Sequence, residues 1–204
     1  MNNIKNIIFD LGGVFININY QKTETAFINA GVTNFNDLYN QHRASTVFED
    51  LETGKITPSD FYNELRKISN SQLSDTTIKS AWNAMLGDFM LKEIDWLTSI
   101  KYKYRLFLYS NTNQIHYEAF TALFQQETGK GNFEDYFIKA YYSHTFGLRK
   151  PYATSYQKIL EEQQILAAET LFIDDTLVNI EGAKEAGLQT IHLAPPLRVS
   201  ELGL

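Results

Sequence analysis

The segment Ile7-Ile8-Phe9-Asp10-Leu11-Gly12-Gly13 constrains the fold of this chain more than any other stretch. Three consecutive apolar residues leave no polar face, so they fit a strand covered on both sides, as in a parallel sheet under helices. The strand then delivers a carboxylate to a turn, and the glycines let the backbone bend beside it. Four other apolar runs, over residues 105–109, 136–141, 171–173 and 190–193, join residues 4–9 as predicted strands, with 136–141 the weakest pattern. Residues 91–101, 114–126, 153–163 and 179–186 read as helices between them, and Gly187 is a stop for the last. Strand and helix in alternation specify an α/β fold, a Rossmann-like doubly wound parallel sheet.

Residues 19–90 break that rhythm. They hold no convincing strand and read as amphipathic helices over 21–30, 35–43, 46–53, 59–69 and 76–86, punctuated by Gly54, Pro58 and the polar run 69–74. Ser59 is the expected N-cap of the fourth. The expected division is a catalytic core of residues 1–16 and 91–204 with a helical insert at 17–90. The insert is either an ordinary helical subdomain or a cap that closes over a site. The tail beyond Pro195-Pro196 is expected to be peripheral.

Composition narrows the function. The chain has 204 residues, 44% of them hydrophobic, enough for one packed domain with an insert. Net charge is −6 with no basic run, which argues against a nucleic-acid partner. The absence of cysteine removes disulfides, thiol nucleophiles and thiolate metal sites. The polar N-terminus does not read as a signal peptide and no apolar run is long enough to span a membrane, so a cytoplasmic protein is expected.

Chemistry is expected at the carboxyl ends of the strands, where strand order reverses. Asp10 follows the first strand, and Asp174 and Asp175 follow the fourth. Converging acids repel, and a cation between them relieves that; hard oxygen donors suit Mg²⁺. The alternative is that Asp174-Asp175 simply caps the next helix. Ser110, Asn111 and Thr112, after the second strand, fit either an anion site or a plain cap. Lys150 would balance charge in a ring of carboxylates, or be a solvated lysine. His42, His116, His144 and His192 lack zinc-site spacing, and the Gly-Lys pairs at 54–55 and 129–130 lack the Ser or Thr of a P-loop.

In order, Phe-Asp-Leu-Gly-Gly-Val at 9–14, Tyr-Ser-Asn-Thr-Asn at 109–113, Gly-Leu-Arg-Lys-Pro at 147–151 and Phe-Ile-Asp-Asp-Thr-Leu-Val-Asn-Ile-Glu-Gly-Ala at 172–183 resemble the four motifs of the haloacid dehalogenase-like hydrolase superfamily. The wording is most similar to the bacterial α-D-glucose-1-phosphate phosphatase branch. The resemblance implies a core sheet of order 5-4-1-2-3 with a helical cap after the first strand, and a Mg²⁺-dependent phosphatase acting on a small phosphorylated metabolite. It implies Asp10 as nucleophile, and Mg²⁺ held by Asp10, the Gly12 carbonyl and Asp175, with Asp174 and Asn179 behind them or acting through water. Ser110 and the Asn111 amide would bind phosphate, and Lys150 would offset charge in the transition state.

Gly12 stands where most phosphatases of this kind carry an acid that protonates the leaving oxygen, a contribution of roughly 10²–10⁴-fold. Either the leaving group departs unaided, or His42, Glu49 or Glu52 stands in, or turnover is slow. Asn17 is a candidate for positioning water, and Asn17, Asn19, Phe48 and Glu49 are candidates for substrate contact by their nearness to the hinge or to Gly54. Dehalogenation, phosphonate cleavage with Lys55 forming an imine, and a catalytically weak metabolite-binding protein are the competing readings.

Overall fold

Ile7, Ile8 and Phe9 are fully buried because their strand has parallel neighbours on both sides. The computed structural model describes residues 3–40, 43–44 and 46–204. Its elements run β1 (Asn6–Phe9), β2 (Ile16–Ile18), α1 (Tyr20–Asn29), α2 (Phe35–Leu38), β3 (Tyr39–Asn40), β4 (Arg43–Ala44), α3 (Thr46–Glu52), α4 (Pro58–Ser69), α5 (Asp75–Asn83) and β5 (Leu86–Phe89). They continue with α6 (Leu91–Ile100), β6 (Arg105–Ser110), α7 (Gln114–Thr128), β7 (Lys139–Tyr142), α8 (Ser143–Phe146), α9 (Ala153–Gln163), β8 (Thr170–Asp174), α10 (Leu177–Glu185) and β9 (Gln189–His192). Five of the strands form one parallel sheet in the order β7-β6-β1-β8-β9. Numbered as core strands this is 3-2-1-4-5, the expected order read from the other edge. Chain direction across the sheet reverses at β1/β8, which is where such folds open a crevice.

One face of the sheet buries Ile7, Phe9, Leu106 and Leu108 against α6 and α7; the other buries Ile8, Phe107, Tyr109 and Phe172 against α9 and α10. The insert has a core of its own, centred on the fully buried Trp82 with Phe27, Phe35, Phe48 and Phe61 around it. Phe27 and Phe35 stack at 4.2 Å between ring centroids.

Several local expectations are corrected. The insert is not free of strands: β2 and β5 pair antiparallel where it joins the core, and β3 pairs with β4 inside it. The helix expected over 35–43 stops at Leu38, where Tyr39 takes up extended backbone. The fourth helix is capped by Thr57, not Ser59: Pro58 occupies the first turn, and Thr57 and Asp60 exchange side-chain and backbone bonds in a capping box. The strand expected from 136 begins at Lys139, because Phe133–Tyr136 winds into a 3-10 turn. The tail is not peripheral: Val199 is fully buried, and the Ser200 N–H donates to the buried Glu93 carboxylate at 2.8 Å.

Candidate active site

Asp10, Ser110 and Asp174 sit at the carboxyl ends of three adjacent strands, so the sheet register brings them to one edge. Carboxylate oxygens of Asp10, Asp174 and Asp175 lie within 4.8 Å of one another. Lys150 arrives from the loop before α9, 1% exposed, with its Nζ 2.7 Å from Asp10 Oδ1 and 2.7 Å from Asp174 Oδ2. The ammonium lies 5.7 Å from the Tyr109 ring centre and 5.5 Å from that of Phe172.

That lysine is held by its own backbone. The Asn111 side chain donates to the Lys150 carbonyl at 3.0 Å and accepts from the Lys150 N–H at 2.9 Å. Asn111 thus positions Lys150 through its side chain, a role its place in the sequence does not disclose. Asn113, not Ser110 or Thr112, caps α7 by accepting from the N–H groups of Ile115 and His116. Ser110 stays free of capping and lines the cavity.

Asp174 is saturated. Its oxygens accept from Lys150 Nζ, the Thr176 N–H at 2.7 Å, and Asn179 Nδ2 at 3.0 and 3.2 Å. Asp175 differs: Thr176 Oγ1 donates to it at 3.1 Å, and no lysine or arginine of the described residues pairs with its carboxylate. His192, at the end of β9, donates from Nε2 to the Asp175 carbonyl at 2.9 Å and fixes the loop from behind.

Burial pushes the Asp10 carboxyl up to about 7 against the pull of Lys150, with Asp174 and Asp175 adding to the rise. Burial, then Asp174, raises Asp175 as well. Burial works against the charge on Lys150, but Asp10 and Asp174 more than reverse that, so its proton is held firmly. Two acids are therefore short of positive charge.

The cavity over this edge has a volume of ≈ 530 Å³, in the range of small-molecule sites. Asp10, Gly12, Ser110, Asn111, Lys150, Asp175 and Asn179 line its floor. The insert supplies Tyr20, Tyr39, Glu49, Glu52, Met85 and Leu86, and the core adds His116 and Arg149. Sequence reasoning does not single out Tyr20, Tyr39, His116 or Arg149 for this cavity. Only Arg149, next to Lys150 in the chain, carries a sequence signal. Burial raises the Tyr20 hydroxyl, and Asp175, Asp10 and Glu52 raise it further.

Other candidates lie elsewhere. Asn17 is exposed and its amide donates to the Asp88 carbonyl at 3.2 Å, so it joins β2 to β5 and does not line the cavity. Asn19 is exposed, and Phe48 is buried in the core of the insert. Lys55 is exposed and paired with Asp50 at 3.2 Å, outside the cavity. His42 lies outside the described residues. Glu49 does line the cavity, paired with Arg149.

The acids and the lysine thus form a ring at the switch point of a doubly wound sheet, beneath side chains of the helical insert. A family model described as haloacid dehalogenase-like hydrolase matches residues 4–187, and the chain belongs to that family. It is 31% identical over 190 residues, 93% of this chain and 91% of the other, to a D-ribitol-5-phosphate phosphatase of Bacteroides thetaiotaomicron. Among solved structures, an aspartate-to-alanine mutant of a family enzyme from Bacteroides thetaiotaomicron, in complex with magnesium and inorganic phosphate, superposes with a TM-score of 0.88 at 33% identity over 95% of each chain. A predicted family hydrolase from Porphyromonas gingivalis superposes at 0.83 with 28% identity, over 93% of this chain and 90% of that one. No helix among the described residues is long and apolar enough to cross a membrane.

Proposed function

We propose that this protein is a Mg²⁺-dependent phosphatase of small phosphorylated metabolites, with sugar or sugar-alcohol phosphates as its substrates. The observation that carries the reading is the buried Lys150 between Asp10 and Asp174, with Asp175 left without a cation beside them. The donor set fits Mg²⁺: hard carboxylate oxygens gathered within 4.8 Å, with less positive charge among the side chains than the acids require. Asp10, Asp175 and the Gly12 carbonyl would hold the ion, and Asn179 and Asp174 would brace them. Because all four of its hydrogen bonds are internal, Asp174 is assigned to holding Lys150 rather than to direct ligation. Bound Mg²⁺ would offset charge on the phosphoryl oxygens.

Asp10 attacks phosphorus, the P–O bond to the leaving group breaks, and an aspartyl-phosphate forms; water then releases phosphate and restores Asp10. Lys150 keeps the nucleophile oriented and stabilises the charge that spreads over the phosphoryl oxygens. Ser110 and the backbone at Asn111 cradle those oxygens. Proton delivery is the weak step, since position 12 is glycine; of the candidate substitutes, Glu49 and Glu52 line the cavity, both paired with Arg149.

The similarity to a D-ribitol-5-phosphate phosphatase supports the substrate class. Phosphonate cleavage loses its candidate imine-forming amine, because Lys55 is outside the cavity. The test is hydrolysis of a panel of phosphate esters with Mg²⁺ and with EDTA, beside Asp10→Asn. Turnover that disappears both with EDTA and in the variant supports the reading; turnover indifferent to EDTA sinks it.

A further inference from the structure

The far wall of the cavity carries a polar pair with unmet bonds. Glu52, on α3 of the insert, is 7% exposed, and its Oε2 has no hydrogen bond among the described residues. Arg149 Nη2 approaches that oxygen at 3.1 Å, within ion-pair distance but outside hydrogen-bond alignment. The Nε of Arg149 is likewise buried without an acceptor. Both residues line the cavity, and Nη1 of Arg149 is already committed to Glu49. A buried acceptor and a buried donor without aligned hydrogen bonds are costly, so such atoms are retained where a ligand completes them.

We propose that Glu52 and Arg149 form a subsite for hydroxyl groups on the unphosphorylated tail of the substrate, selecting neutral polyhydroxylated esters over those with a second anionic group. The inference rests on the phosphatase reading above. A hydroxyl donates one bond and accepts others, so one group, or two neighbouring ones, satisfies Glu52 Oε2 and Arg149 Nε together. Neither atom alone identifies a hydroxyl; a carboxylate tail could serve Arg149 but has no proton for Glu52. Charge gives the same answer. Glu49 and Glu52 face a single guanidinium, so the wall carries a surplus of negative charge that repels a carboxylate or second phosphate. Ile18, Met85 and Leu86 of the same cavity offer apolar surface to the CH face of an open chain. The Glu52 carboxyl is raised by burial, opposed by Arg149, which is consistent with a group whose solvation is completed only by ligand.

The experiment compares wild type, Glu52→Gln and Arg149→Lys on three esters: an open-chain pentitol 5-phosphate, the pentonate 5-phosphate of the same length, and an aryl phosphate without a hydroxylated tail. Wild type is expected to prefer pentitol to pentonate by at least about tenfold in kcat/KM, the order of one charge-assisted hydrogen bond. Glu52→Gln should raise KM for the pentitol ester about tenfold more than for the aryl ester, and should narrow the pentitol–pentonate preference. Arg149→Lys, which keeps the charge but loses the fork, should lose pentitol discrimination without gaining pentonate. A uniform fall on all three esters, or a wild type indifferent to the tail's charge, overturns the subsite while leaving the phosphatase reading intact. No Mg²⁺-dependent turnover even of the aryl ester overturns both.

Discussion

Gly13 approaches Asp175 so closely that a Cβ on it would lie 2.2 Å from the Asp175 Oδ2, and its φ of +69° is one that side chains resist. The glycine in the turn after Asp10 thus leaves room for the acid that arrives from β8. Gly182, on α10, makes similar room behind Lys150, where a Cβ would fall 1.8 Å from the Pro151 carbonyl oxygen.

Gly13→Ala is therefore expected to displace Asp175 as well as strain the turn. The backbone cost alone is about 1–2 kcal/mol. Loss of Mg²⁺ affinity, measured by calorimetry, should exceed what that stability change explains, with turnover down at least about a hundredfold. Normal Mg²⁺ binding in a folded Gly13→Ala protein would show that Asp175 is not a ligand.

Lys150→Met should destabilise the fold by about 3–5 kcal/mol at neutral pH, because it leaves Asp10 and Asp174 buried without their cation. The loss should shrink toward pH 5, below the raised value of about 7 at which Asp10 takes up its proton. Urea denaturation of both proteins at pH 7.5 and pH 5 checks the size and the trend.

His116 gives a separate pH dependence. Its Nε2 donates to the Trp82 carbonyl and its Nδ1 accepts from Asn113, a pattern only the neutral ring satisfies, and burial drops it from 6.5 to about 4. The unfolded chain therefore binds the proton first, between pH 6.5 and 4. Stability present above pH 6.5 is lost as pH falls through that window, by roughly 3 kcal/mol at the acid end. His116→Gln should flatten this region of the profile in denaturation experiments from pH 7 to pH 4; an unchanged slope would place the titration elsewhere.

Gly12 is crowded by a neighbour: a Cβ there would meet Ile18 Cγ1 at 3.1 Å. Restoring an acid at this position requires Ile18 to give way. Gly12→Asp combined with Ile18→Ala is expected to exceed Gly12→Asp alone by about tenfold on alkyl phosphates, with little change on an aryl ester that needs no proton. Equal rates for the single and double variants on alkyl phosphates would remove Ile18 as the obstacle.

Strands are legible in the sequence where burial on two faces forces an unbroken apolar run, as at Ile7–Phe9 and Leu171–Ile173. The pairing of β2 with β5 is not, although Ile16-Asn17-Ile18 alternates as an edge strand does, because three residues are too few to stand out. The Thr57–Asp60 capping box has a local signal in Thr-Pro-Ser-Asp, which outranks Ser59 once Pro58 is placed in the first turn. Asn17 and Phe48 are candidates only by nearness along the chain, which says little about which way a side chain faces.

Local residue patterns specify the strands of the sheet, its acids and its lysine. Period and strand-end position are local properties, and the parallel register then carries Asp10, Ser110 and Asp174 to one edge. Packing in three dimensions settles which acid is saturated and which lacks a cation partner, and that Asn111 grips the Lys150 backbone. It alone joined Glu52 of the insert to Arg149 of the core. Those relationships depend on packing between elements far apart in the chain, where a shift of an ångström changes a partner and no residue pattern records it.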